Sequence, residues 1–372
     1  MLYVTMFVIL LIIACLEFTS RITLKSKKFI AIVITGVWVV LSTFQAVSTD
    51  DTLNYKVNFD YIIDASSLRS IFTIRQFEPL YQILNGIVKY IYPNFYFFQF
   101  VEYMIVAVLQ YKCIFYFGEQ IREGNRNQNG YELTGMFLLW ALYKGNITMI
   151  RNTIALWICL YSIRHIREKK LFKFIICVVI AAMFHQSAWI FIPAYFIYNM
   201  HLSFRQDAGL LIMGTVIGTA IMPQVLRALS GSIAKISMYL EEGVAGGVGD
   251  AMAQSISGTL LKAVMNIGVL LLVCWLVLRL QRRRNDGHAE GYVSLYMVGC
   301  LLYLTTMFMS FAFARIAIYY NTFQLPLIMY YLREIRDRED GDIWWIILIS
   351  YLAVRFGINQ MVGYVPYKTI FS

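Results

Sequence analysis

The chain has 372 residues, 59% of them hydrophobic and 15% charged, with a formal net charge of +10 and a mean hydropathy of +0.62. A soluble globular domain runs nearer about 45–50% apolar and about 25% charged, so this composition excludes one and implies helices that span a bilayer. The positive excess lies in short loops between apolar segments, where it sets topology and does not point to nucleic acid.

The first apolar segment, 2–18, has neither a basic leading region nor a small-residue cleavage site, and reads as a retained helix. The basic loop 21–28 (Arg21, Lys25, Lys27, Lys28) follows, then an apolar span over 29–47. Further basic loops fall at 164–173, 279–284 and 333–338; placing all four in the cytoplasm satisfies the positive-inside rule. The acid-rich stretch after residue 47, with Asp50, Asp51, Asp60, Asp64 and Glu78 against Lys56, Arg69 and Arg75, then lies outside, as does the N-terminus.

Segment 79–92, ending in Tyr92-Pro93-Asn94, is too short for a full crossing, so 48–94 reads as an outer loop carrying a re-entrant or interfacial segment. Segment 95–117 crosses inward, and 133–144 with 153–164 form a short pair turning outside around 145–151. The apolar stretch 172–200 is too long for one ordinary helix, and both its ends must be cytoplasmic. It therefore predicts a helical hairpin bent at Phe184-His185-Gln186-Ser187. Segment 208–222 leads to a long outer stretch, 223–262, with four glycines between Gly243 and Gly249. Such a run permits positive φ and suits a surface loop or a lid over an outward cavity. Spans over 261–280, 292–311, 316–332 and 343–356 bring the total to about twelve crossings. The expected fold is thus all-α: one polytopic integral membrane domain over 1–372, with short or re-entrant segments.

Six ionisable residues, Asp50, Asp51, Arg75, Glu78, Arg151 and Arg315, share the outward face of this threading, with His185 near the same level. Charge at a membrane edge is expensive and usually marks a substrate path or a reactive site. Asp50-Asp51-Thr-Leu-Asn54-Tyr55 offers paired carboxylates, suited to a general base or a cation, or to a solvated helix end. In Arg75-Gln-Phe-Glu78-Pro79, the proline suits a first helical turn; Arg75 and Glu78 either pair or divide into an anion ligand and a catalytic carboxylate. Arg151 and Arg315 have no acid within one helical turn in sequence, so they either snorkel to headgroups or grip phosphate through the planar guanidinium. The six cysteines are isolated within apolar runs, with no CxxC or Cys/His spacing, so neither disulfides nor a metal is expected, and no cofactor is called for.

Four short motifs, Asp51-Thr-Leu-Asn54-Tyr55, Phe77-Glu78-Pro79-Leu80-Tyr81, Ile150-Arg151-Asn152-Thr153-Ile154-Ala155 and Phe184-His185-Gln-Ser187-Ala188, resemble the EpsG family in sequence and order. Arg315-Ile-Ala-Ile-Tyr319 and Val365-Pro366-Tyr367-Lys368 are similar to it as well, so the resemblance runs nearly the length of the chain. That family belongs with the Wzy-like polymerases of capsule, exopolysaccharide and O-antigen. The resemblance implies a GT-C-like fold and a multi-pass protein of the bacterial cytoplasmic membrane with its active site outward. It implies an enzyme that joins oligosaccharide repeat units carried on undecaprenyl diphosphate, by direct inversion. Asp51, Glu78 or His185 would then accept a proton, while Asp50, Asn54, Tyr55, Arg75, Arg151, Arg315 and Tyr319 would bind substrate. Its partners would be the lipid-linked oligosaccharide, membrane lipids, and the flippase and chain-length regulator of the same pathway.

Three other classes compete. A flippase for the same lipid-linked sugar should show repeats and mid-membrane charge in both halves, which are not evident. A polysaccharide O-acyltransferase needs a deep histidine, for which His185 is the candidate, and a structural assembly subunit needs none of the named charges.

Overall fold

Only structures that satisfy their own backbone hydrogen bonds can cross lipid, and the described residues form helices and turns, with no strand among them. The computed structural model describes residues 2–20, 22–46, 50–62, 77–122, 129–143, 149–200, 202–230, 288–306 and 315–362, with scattered positions between 267 and 278. The helices are α1 (Leu2–Thr19), α2 (Leu24–Thr43), α3 (Asp50–Val57, running into a π turn Asn58–Ile62), α4 (Pro79–Ile91), α5 (Phe95–Arg122), α6 (Glu132–Tyr143) and α7 (Ile150–Arg167). Then come α8 (Leu171–Ala182), a 3-10 turn (Gln186–Phe191), α9 (Ala194–Asn199), α10 (Phe204–Ser230) and α11 (His288–Thr306). A 3-10 turn (Arg315–Ala317), α12 (Ile318–Asn321), α13 (Gln324–Arg336) and α14 (Gly341–Val362) follow. Among the described residues, α1, α5 and the stretch Gly341–Ile358 of α14 are long and apolar enough to cross a membrane. Rows of bare aliphatic side chains, such as Val4, Val8, Ile12 and Leu16 on α1, and Ile343, Ile346 and Ile347 on α14, are what lipid would cover.

The chain divides into two compact units. The first comprises 1–192 and 332–372. Its core is aromatic: Phe7 stacks on Phe356 at 4.4 Å, Phe18 on Trp345 at 4.8 Å, and Trp38 meets Trp140 edge-on at 5.1 Å. The Trp140 indole donates to the Tyr3 carbonyl at 3.0 Å, which satisfies its one polar atom. Helix α2 starts at Leu24, five residues before the expected span, because the Thr23 hydroxyl caps it by accepting from Ser26 N–H. That start draws Lys27 inward. It is 3% exposed and pairs with Glu17 at 2.7 Å and Glu132 at 3.0 Å, so it is an internal counter-ion and not a solvated loop charge. Asn129 and Arg122 complete the cluster as further partners of Lys27 and Glu132.

Helix α8 does not run on through 200. The chain turns at 183–186, and Phe191 at the end of the 3-10 turn comes back to 6.0 Å from Phe174 in the first turn of α8. A continuous helix would part those residues by about 25 Å, so the chain reverses where the hairpin bend is expected.

The second unit is 193–331. Tyr292 lies at its centre, edge-on to Tyr198 at 5.6 Å and stacked on Phe323 at 5.8 Å. Helices α10 and α11 pack closely because Gly214 and Gly218, one turn apart, face Leu301 and Thr305; a Cβ on Gly214 would sit 2.9 Å from Leu301. The buried Asp207 of α10 accepts from the Ser294 hydroxyl of α11 at 3.0 Å. The single span expected over 316–332 is broken at 322–323, between α12 and α13. Pro326 accounts for the break: it lacks an N–H and is tolerated only in a first turn, which is where α13 places it.

Candidate active site

Pro79 occupies the first position of α4, so Glu78 becomes its N-cap in extended conformation, with φ −65° and ψ 151°. The carboxylate does not cap its own helix. Its Oε2 takes the Arg151 guanidinium at 2.5 Å, and its Oε1 accepts from the Gln186 backbone N–H at 3.2 Å. A second tie, Leu80 N–H to the Met183 carbonyl at 3.0 Å, fixes the start of α4 to the turn after α8. Three segments distant in sequence therefore meet at Glu78.

Arg151, the second residue of α7, lies against three rings: Phe77 at 4.1 Å from the centroid, Tyr55 at 5.4 Å and Tyr81 at 5.6 Å. These rings hold one another edge-on, Tyr55 to Tyr81 at 5.8 Å, Tyr55 to Phe77 at 5.7 Å and Phe77 to Tyr81 at 5.5 Å. Such a cage attracts a guanidinium electrostatically and fixes its plane. Burial pushes the Tyr55 phenol up to about 12, against the pull of the adjacent Arg151 cation. Tyr81 is fully buried, and so is Glu102 of α5, a carboxyl that is 2% exposed.

A buried amide cluster holds α3 on α4. Asn58 donates to Gln82 at 3.0 Å and to Asn85 at 3.3 Å, and Gln82 donates back to Asn58 at 3.3 Å. Lys89 donates to the carbonyls of Phe59 at 2.6 Å and Asp60 at 3.0 Å, satisfying acceptors at the end of the π turn. Together these bonds set Tyr55 on α3 against Phe77 and Tyr81.

Of the residues singled out from the sequence, Glu78 and Tyr55 both meet Arg151, the first as an ion pair and the second as a ring facing the guanidinium. Asp51 lies half-buried in the first turn of α3, close enough for its charge to act on Tyr55, while Asn54 is exposed. His185 sits beside Gln186 as the N-cap of the 3-10 turn, its Nδ1 2.6 Å from the Ser187 hydroxyl. Arg315 opens the turn Arg315–Ala317 and Tyr319 is fully buried, both in the second unit, whereas the Glu78–Arg151 pair belongs to the first. Arg75, the side chains of Asp50 and Arg315, residues 231–262 of the glycine-rich stretch and 365–368 lie outside the described residues. Arg151 has no acid within one helical turn in sequence, and in the fold it pairs with Glu78, 73 residues away. Sequence reasoning overlooked Glu102 and the aromatic cage. An acid inside an apolar run was the signal for the former, and Phe77 and Tyr81 flank Glu78 in its own motif.

Helices fit to span a bilayer, with an arginine–carboxylate pair set in an aromatic cage, define a helical membrane protein with a candidate site for an anionic substrate. The family model for the EpsG family matches residues 27–369, nearly the whole chain. The chain belongs to the EpsG family, a family of Wzy-like polymerases. No curated protein and no solved structure matches it significantly.

Proposed function

We propose that this chain is a polysaccharide polymerase that extends a glycan by joining oligosaccharide repeat units carried on undecaprenyl diphosphate. The work is done at the outer face of a bacterial cytoplasmic membrane, by a multi-pass protein of about twelve crossings. The observation that carries this reading is the Glu78–Arg151 pair at 2.5 Å, in a chain whose family is one of polymerases.

In the reaction, a hydroxyl at the non-reducing end of the incoming unit attacks the anomeric carbon of the growing chain. The bond from that carbon to the lipid diphosphate breaks, and the electron pair leaves with the diphosphate. Arg151 receives that charge; a planar guanidinium pairs bidentately with phosphoryl oxygens, and preorganised charge of this kind is commonly the largest catalytic contribution. Glu78 takes the acceptor proton. It is held at hydrogen-bonding distance from Arg151 and the Gln186 N–H, so binding of the diphosphate to Arg151 releases the carboxylate for that role. Attack opposite the leaving group inverts the anomeric centre without a covalent glycosyl-enzyme. A glycosyl diphosphate donor brings its own leaving group, which makes ATP unnecessary on the outer face.

The test is reconstitution. Purified protein supplied with its cognate lipid-linked repeat unit should give a ladder of longer glycans, and Arg151→Ala should abolish it. A ladder that survives Arg151→Ala removes the diphosphate-binding role.

A further inference from the structure

We infer that His185 is a positioning residue: through its Nδ1 it holds the turn after α8 in the form that offers the Gln186 N–H to Glu78. The inference rests on the polymerase reading in which Glu78 accepts the proton, and adds to it the residue that aims that carboxylate.

The Glu78 side chain makes no bond to its own helix, so groups beyond α4 decide where the carboxylate points. Arg151 holds one oxygen at 2.5 Å and the Gln186 N–H holds the other at 3.2 Å. Gln186 opens the 3-10 turn Gln186–Phe191, and the first N–H groups of such a turn find no acceptor within it. The N–H of Gln186 goes to Glu78, and the N–H of Ser187 donates to His185 Nδ1 at 3.4 Å. The Ser187 hydroxyl lies 2.6 Å from the same nitrogen. His185 is thus the N-cap, extended at φ −156° and ψ 119°; its side chain takes the second N–H and leaves the first for Glu78. Its backbone is tied on both sides, the N–H donating to the Ala181 carbonyl at 2.9 Å and the carbonyl accepting from Ala188 N–H at 3.0 Å. Two residues earlier, the Met183 carbonyl takes the Leu80 N–H at 3.0 Å. Glu78 and Leu80 therefore both rest on a turn that His185 caps. The same bonds set the tautomer. A ring nitrogen that accepts from an N–H carries the lone pair, so in the neutral imidazole the proton sits on Nε2, which has no lone pair with which to take another. The basic atom of His185 is engaged in the turn, and Glu78 is left to receive the proton of the acceptor hydroxyl.

The experiment measures initial rates of glycan elongation by the full chain in lipid nanodiscs. The substrate is the lipid extract of the parent bacterium deleted for this chain, titrated to saturation so that kcat and KM separate. The variants are His185→Asn, His185→Gln, His185→Ala, Glu78→Gln and the His185→Ala/Glu78→Gln double variant. Asparagine places an acceptor oxygen where Nδ1 lies and is a good cap, so His185→Asn should keep kcat within about threefold of the natural chain. Glutamine reaches the Nε2 position and alanine neither, so both should lose about tenfold in kcat with KM changed less than about twofold. In the Glu78→Gln background His185→Ala should cost nothing further, because His185 acts through that carboxylate. A merely structural role would lower the thermal midpoint while leaving kcat per folded protein unchanged. Unchanged kcat in His185→Gln, an asparagine variant as slow as the alanine one, or losses that multiply in the double variant would each overturn the proposal. His185→Asn against His185→Gln decides the matter if His185→Ala does not fold. If Glu78→Gln elongates at the natural rate, the proton-acceptor reading is wrong and the proposal falls with it. If Glu78→Gln is slow while His185→Gln and His185→Ala keep the natural kcat, only the positioning role falls.

Discussion

Replacing Glu78 by glutamine should make the protein bind diphosphate more tightly while ending turnover. The carboxylate and the Arg151 guanidinium are in contact at 2.5 Å, with side chains 13% and 17% exposed, so each occupies the site the other would offer to substrate. Two unit charges about 4 Å apart in a medium of effective dielectric near 20 attract by about 4 kcal/mol. Desolvation of the pair offsets a large part of that, and a net competing interaction of about 1.5 kcal/mol is a reasonable order of magnitude. An arginine relieved of this competitor should bind the ligand about tenfold more tightly, since a factor of ten corresponds to about 1.4 kcal/mol. The same substitution removes the proton acceptor, so glycan elongation should fall by at least about 100-fold, the usual scale of general-base loss. The assay pairs calorimetric titration of farnesyl diphosphate into nanodisc-embedded protein with a glycan-ladder readout on the same preparations. Equal or weaker binding by Glu78→Gln would refute the reasoning, because it would mean that Glu78 and the ligand do not compete for Arg151.

Arg151→Lys should lose at least about tenfold in activity, because a lysine neither pairs bidentately nor stacks its charge on three rings; the ladder assay measures it. Tyr55 should remain a neutral phenol through ordinary pH. Because its folded pKa of about 12 lies above the usual value of 10, its contribution to stability is complete below pH 10 and is lost as pH rises through 12. The alkaline absorbance difference between the natural chain and Tyr55→Phe should report that late titration. Lys27→Met leaves Glu17 and Glu132 buried with one cation fewer and should cost about 3–5 kcal/mol, read as a lower thermal unfolding midpoint. Gly214→Leu should wedge α10 from α11 and lower stability by about 1–3 kcal/mol on the same readout.

The membrane class and the helical nature of the chain could be read from composition, because apolar runs broken by short basic loops leave few other physical solutions. The reversal after α8 could be read as well, from the excess length of the apolar stretch and the basic loops that hold both its ends on one side. Boundaries were less legible where a local device overrode hydropathy. Thr23 started α2 early by capping it, and Pro326 split an apolar run that hydropathy reads as continuous. Neither effect alters mean hydropathy, so a reading based on apolar length passes over both, although each residue carries its own local signal.

Pairing shows the same limit more sharply. Within one helical turn of sequence Arg151 has no acid, so its neighbours in sequence leave it to reach headgroups or a phosphate. Folding brings Glu78 to it from 73 residues away, by stitching the start of α4 to the turn after α8. An arginine held among three rings without any anion would be far more costly than the exposed cation that local sequence implies. A resting partner was therefore to be expected from energetics even though its identity was not. Glu78 heads the same short motif that supplies two of the three rings, Phe77 and Tyr81. A five-residue segment, Phe77 to Tyr81, thus provides the counter-ion, two walls of the cage and, through Pro79, the backbone turn that aims them. Short spacing within that motif is a geometric requirement. Moving Glu78 by one residue would separate the carboxylate from the rings that hold its cation, and the exchange of carboxylate for diphosphate would lose the one arginine on which both depend.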